Sequence, residues 1–211
     1  MLGAMMTKST HCNVDTREHL LATGETLSLR LGFTGMGLSE LLATAGVPKG
    51  SFYHYFRSKE AFGEAMLQRY FTHYDAQMQA LFADRRGDAR HQLLGYYAQA
   101  ISYHCRSECH NACLAVKLSA EVSDLSEPMR HALETGTARV IGHLQEAIER
   151  GIAEGSLSVA MSPAATAETL YSLWLGASLR AKIRHSLAPL TSALESIELL
   201  LRPHRFRPPQ P

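Results

Sequence analysis

No run of β-branched residues alternating with polar ones is long enough here to build a strand, which excludes a sheet-based fold. Apolar runs such as "LYSLWLGASL" are far shorter than the roughly 20 residues that span a bilayer. The first 15 residues lack the long apolar core of a secretory signal. Both absences predict a cytoplasmic protein with no membrane partner. Charge of one sign is missing too: the net charge is +1, so any basic footprint for nucleic acid has to be local. No glycine-rich phosphate loop, nucleophile elbow or pair of catalytic carboxylates is present, so the expectation is a non-enzyme without a cofactor. No internal repeat is visible either.

What remains is helical. The chain has 211 residues, 45% of them hydrophobic and 19% charged, enough for one generous domain or a small head and a larger body. Asp15 or Thr16 can cap a first helix reaching about Leu31, and "GFTGMG", with three glycines in six residues, breaks it. Leu38 to Ala45 gives a second helix, and Pro48 opens a third that ends near Phe56. Ser58 caps a fourth, with Ala61, Ala65 or Met66, Tyr70, Tyr74, Met78 and Leu81 expected on its apolar face. Further helices are expected over Ala89–Cys105, from about Ala112, from Ser126 to Glu154, from Ser162-Pro163 to about Ile183, and from Pro189. The predicted fold is all-α with about nine helices: a disordered lead (1–14), a three-helix head (15–60), a helical body (61–202) and a disordered proline-rich tail (203–211).

The head carries the first functional signal. In "LSELLATAGVPKGSFYHYF" two short helices flank a tight turn at Gly46, where a backbone with positive φ is needed. That is a helix-turn-helix, whose second helix is presented to the DNA major groove. Phe52 and Phe56 are spaced to face a core with Leu27, Leu41 and Leu42, which leaves Lys49, Gly50, Ser51, Tyr53, His54 and Tyr55 to point elsewhere. From Thr44 to Lys59 there are three cations and no acid. Hydroxyls, ammonium groups and helix N-termini suit phosphate oxygens. Lys59, in the first turn of helix four, opposes the helix dipole and calls for a partner such as a phosphate. Taken singly, each aromatic could equally be a packing residue and each lysine a solvated one.

The second signal is a cluster of thiols. Of four cysteines, Cys105, Cys109 and Cys113 fall within nine residues, flanked by His104 and His110. Clustered thiols suggest redox or metal chemistry in an intracellular chain. With Asn111 as N-cap, Cys113 falls in the first turn of a helix, one turn before Lys117, where the dipole favours thiolate. Two alternatives stay open. The cysteines can be small core hydrophobes, or His104, Cys105, Cys109, His110 and Cys113 can bind a metal, although C-x3-C-x3-C fits no zinc-ribbon spacing. No metal site is assigned. A third possibility is a reversible ligand in an apolar pocket lined by Tyr97, Tyr171 and Trp174. Lys182 stands in an otherwise apolar helix, where a lysine needs a partner or an exit to solvent.

"GLSELLATAGVPKGSFYHYFRSKEAF" resembles the DNA-binding head of TetR-family transcriptional repressors. The resemblance implies phosphate contacts from Tyr53, Tyr55 and Lys59 and base-edge contacts near Lys49, Gly50 and Ser51, with His54 at a variable position. It also implies a homodimer on a palindromic operator, joined through its last two helices. "CLAVKLSAEVSDLSEPMR" and "LYSLWLGASLRAKI" extend the likeness to the NemR-type group of that family. For this group the resemblance implies control of detoxification genes by reactive electrophiles or oxidants. Cys113 matches the principal sensor position and Lys182 a lysine beside it; Cys109 departs from the pattern, and Ser123 stands where a further thiol is expected.

Overall fold

The computed structural model describes residues 9–84, 87–106 and 113–202, with the backbone alone for 9–15 and 104–106. Its helices run α1 (Ser9–Leu31), α2 (Leu38–Ala45), α3 (Lys49–Tyr55), α4 (Lys59–Ala83), α5 (Ala89–Arg106), α6 (Leu114–Val122), α7 (Glu127–Ala153), α8 (Pro163–Arg184) and α9 (Ala188–Leu200). Among the described residues no strand forms beyond a single bridge from Ser158 to Arg202, and no helix is long and apolar enough to cross a membrane.

Local chemistry sets most helix ends. The hydroxyls of Ser58, Ser126 and Ser162 accept from the amides of Ala61, Met129 and Ala165, capping α4, α7 and α8. Gly46 ends α2 with φ 64°, and its turn closes through Val47 N–H to the Leu42 carbonyl at 3.0 Å. Pro48, extended, then starts α3. The first helix differs from expectation. It begins at Ser9, so Asp15 and Thr16 lie inside it and not at its start.

One continuous core joins head and body. Phe52, Phe56 and Phe62 pack ring on ring at 5.0–5.5 Å, with Leu20, Leu21, Leu27 and Leu41 around them. Phe62 belongs to α4, and the same helix carries the core onward through Met66, Phe71, Met78 and Phe82 toward α7. Met66 and Met78 are buried as expected, while Phe62, Leu67, Phe71 and Phe82 are buried where the pattern pointed to Ala61, Tyr70, Tyr74 and Leu81. The phenylalanines take the core, while Tyr70 and Tyr74 are partly buried and line a cavity.

Close approach of α4 and α7 depends on Gly136, where an added Cβ would sit 2.2 Å from the Phe71 ring. Gly136→Ala is expected to cost about 1–3 kcal/mol, as overpacking does. Urea unfolding of the two proteins measures this directly.

Candidate DNA-reading face and thiol cavity

α3 presents the residues singled out in the sequence. Lys49, Gly50, Tyr53 and His54 are exposed, Ser51 and Tyr55 half-exposed, while Phe52 between them is fully buried. Tyr53 stands edge-on to Phe52 at 5.4 Å and takes the Lys49 ammonium over its ring at 5.9 Å, which holds both at the helix surface. His54 packs edge-on against Tyr55. A Cβ at Gly50 would meet nothing within 4 Å, so the start of α3 is open to close approach.

Lys59 is placed differently from the rest. Its ammonium lies 4.8 Å over the Phe33 ring and 3.5 Å from the Thr34 carbonyl. Burial pushes its pKa down, against the opposing charges of Glu60 and Glu121. Part of the partner that its position demands thus comes from inside the head, from the α1–α2 loop.

That loop is also gripped from the body. The Glu121 carboxylate, near the end of α6, accepts from Thr34 N–H at 2.5 Å and from the Phe33 amide. Burial alone would raise its pKa; the loop's hydrogen bonds and the nearby Lys117 outweigh that and lower it. Gly32, at φ 82°, turns the chain into this grip, and a Cβ there would sit 2.7 Å from the carboxylate.

Cys113 lies at the other end of the same helix. It is the N-cap residue of α6, one position before the first turn expected for it, and its side chain does not cap. Sγ turns instead toward the Tyr70 hydroxyl at 3.0 Å, half-buried in the wall of a cavity of about 50 Å³. Tyr70, Tyr74, Tyr96, Tyr97, Tyr171 and Trp174 give the lining its aromatic character. The hydroxyls of Tyr74 and Tyr96 are hydrogen-bonded to each other. Burial raises the pKa of each phenol, that of Tyr96 to about 12, so all remain neutral at physiological pH. Of the three pocket residues named from sequence, all line this cavity. Tyr70, Tyr74 and Tyr96 were missed as lining; their one sequence signal was the crowding of tyrosines at 70, 74, 96 and 97.

Lys182 stands near Lys117. Burial and the neighbouring charge of Lys117 lower its pKa, with Glu121 opposing. Lys117 and Glu121 follow Cys113 at four-residue steps, so thiol, Lys117 and carboxylate share one side of α6. Cys109 and His110 lie outside the described residues, and of His104 and Cys105 only the place in α5 is described.

Comparison with known proteins matches both halves. Residues 20–66 fit the model for bacterial regulatory proteins of the tetR family, and residues 89–197 the tetracyclin repressor-like C-terminal domain. The chain is 52% identical over 191 residues to the HTH-type transcriptional repressor NemR of Escherichia coli K12, covering 90% of this chain and 96% of that protein. It is 32% identical over 187 residues to the repressor DhaR of Mycobacterium sp. strain GP1, covering 89% and 92%. The crystal structure of E. coli NemR in its reduced form superposes with a TM-score of 0.85, covering 90% of this chain and all of that one. A groove-reading head, a helical body behind it and relatives matched along nearly their whole length place this chain in the TetR family of bacterial regulatory proteins.

Proposed function

We propose that this protein is a NemR-type transcriptional repressor that binds a palindromic operator as a homodimer and leaves it when a reactive electrophile or oxidant modifies Cys113. The observation that carries the reading is the double attachment of α6. Its first end holds a thiol in a cavity, and its other end holds the loop on which the head is built. At nine residues the helix is about 14 Å long and moves as one rigid piece. An adduct at Sγ displaces the Tyr70 contact and shifts α6, and Glu121 carries the shift to Phe33, Thr34 and, through them, Lys59.

On the DNA side, Lys49, Ser51, Tyr53, His54, Tyr55 and Lys59 meet phosphates and base edges, with Gly50 allowing close approach. Two copies must hold their α3 helices about 34–36 Å apart on the duplex. The exposed Leu179 and Ile183 of α8 and Leu199 of α9 give the surface by which they associate. Moving the heads loses contacts on both half-sites together. Acting on chromosomal DNA places the protein in the cytoplasm, and the machinery is that of a regulator, not of a turnover enzyme.

Oxidant chemistry at this site is balanced with hypochlorite as the acceptor of two electrons: thiolate becomes sulfenic acid and chloride leaves. The sulfenic acid then condenses with an amine or a second thiol and releases water. Lys182, Cys105 and Cys109 are the candidate second groups, and burial beside Lys117 favours the neutral form of the Lys182 amine.

Cys113→Ser is expected to bind DNA as the wild type does and to stay bound under electrophile. A duplex selected by the protein from a random pool, used in a mobility-shift titration with intact-mass readout, tests this. Release of the serine variant at the wild-type dose overturns the reading. The aromatic cavity also favours a second reading, reversible induction by an apolar ligand. In that case washing out the compound restores binding without reductant.

A further inference from the structure

Arg69 of α4 reaches across to α1 and takes two carboxylates at once. Its Nε donates to Glu18 Oε2 at 2.8 Å and its Nη1 to Glu25 Oε1 at 2.6 Å, and the Arg69 and Glu25 side chains are each only 19% exposed. Glu18 and Glu25 stand seven residues apart on α1, about two turns, so the guanidinium is straddled between them. Burial alone would lower the pKa of Arg69; the hydrogen bonds and charges of the two carboxylates outweigh that and raise it. Glu18 carries the contact onward. It accepts from Arg17 at 3.3 Å, and the Arg17 guanidinium lies 5.6 Å from the ring centre of Phe56, the residue that ends α3.

Such a cluster is poorly suited to adding stability, since the desolvation of three charges offsets most of their attraction. What it supplies is direction. The apolar contact between α1 and α4, with Leu20, Leu21, Phe62 and Met66 in one core, resists separation but is non-directional and tolerates rolling. A planar guanidinium held by two carboxylates does not, because both bonds lose their alignment together. The grip of Glu121 on the α1–α2 loop holds the head at one point, about which it is still free to turn. Arg69 lies ten residues beyond Lys59, about 15 Å along α4, and gives a second point of attachment. Two points fix an angle.

We infer that Arg69 is a positioning residue for operator recognition: through Glu18 and Glu25 it fixes the angle of the head on α4, and with it the separation of half-sites that the dimer accepts. The inference rests on the reading of a palindrome by two copies. It gives to a side chain outside α3 the choice among operators that share their half-sites and differ in the spacer between them.

The test uses the reduced full-length protein and three duplexes: one selected by the wild type from a random pool, and two made from it by inserting or removing one base pair between the half-sites. One base pair changes their separation by about 3.4 Å and turns one against the other by about 35°. The wild type is expected to lose about a hundredfold on either altered duplex, as contacts on one half-site are given up. Arg69→Gln should bind the selected duplex about tenfold more weakly and lose less than about tenfold on the other two. Glu18→Gln together with Glu25→Gln should match it, and adding Arg69→Gln to that pair should change nothing further. Arg69→Lys, which keeps the charge without the fork, should fall between. A merely structural residue would lower all three affinities by one factor. A wild-type ratio between the duplexes in Arg69→Gln, whatever its affinity or melting temperature, overturns the inference. So does a wild-type ratio in the paired carboxylate variant, which is decisive alone if Arg69→Gln does not fold. A wild type that binds all three duplexes alike overturns the two-copy reading of a palindrome itself, and this inference with it.

Discussion

Glu121→Ala is expected to weaken operator binding about tenfold while leaving the rate of Cys113 modification unchanged. The carboxylate accepts from two successive amides of the α1–α2 loop, and charge-assisted bonds of this kind contribute about 1.5–3 kcal/mol each, less where solvent reaches them. Without it, Thr34 and Phe33 lose the anchor that sets the loop against α4, and Lys59 loses the alignment of its carbonyl partner. The variant should therefore resemble the induced state before any electrophile arrives. Adding electrophile should then lower its affinity by much less than it lowers the wild type's. Titrations of both proteins, reduced and modified, measure the coupling as a double cycle. A full-sized further drop in the variant would show that α6 signals by another path.

Glu121 also fixes how this contact responds to acid. Its folded pKa lies below the ordinary carboxylate range, so the unfolded chain binds the proton more readily. The contribution to stability is present above the unfolded value and is lost as pH falls through the folded one. Between pH 6 and 8 the grip should not change, and pH dependence of DNA binding in that window has to come from other groups.

This coupling was invisible in the sequence, and the reason is physical. Capping is a local bargain between a side chain and amides three residues on, so Ser58, Ser126 and Ser162 announce their helices from neighbours alone. Gly46 announces its turn in the same way. Glu121 and Thr34 lie 87 residues apart, and no local preference links them. The apolar face of α4 is legible at Met66 and Met78 and differs at the tyrosines for a related reason: tyrosine satisfies an apolar pattern and a cavity wall equally well, and the choice is made by what α6 and α7 bring opposite. The thiol was found from its neighbours in sequence, yet its cavity needs α4, α5 and α8 to close around it. Its placement at the N-cap, with Sγ on a tyrosine instead of on helix amides, follows from that closure. The head was the most legible part because its chemistry and its core alternate within one seven-residue helix.

That alternation gives the sharpest contrast between fold and function in the molecule. Phe52 and Tyr53 are adjacent, one fully buried and the other 51% exposed. Phe52→Ala removes the ring that meets both Phe56 and Phe62, at a cost of about 3–5 kcal/mol. In a chain of this size that is on the order of 10 °C in melting temperature. Because Phe62 ties the head to the body core, the loss should appear as one lowered transition, with DNA binding abolished at temperatures where the wild type still binds. Tyr53→Ala should leave the melting temperature within about 2 °C, since exposed sites change stability by only some tenths of a kcal/mol. Its operator affinity should nonetheless fall about tenfold, by loss of a phosphate contact and of the ring that steadies Lys49. Salt separates the two partners on that surface. Lys49→Ala should flatten the dependence of log affinity on log salt by about 0.9, and Tyr53→Phe, which keeps the ring and removes no charge, should leave the slope unchanged. If Tyr53→Ala instead melts as early as Phe52→Ala, the exposed side of α3 belongs to the folding core and the assignment of α3 as the groove-reading helix fails.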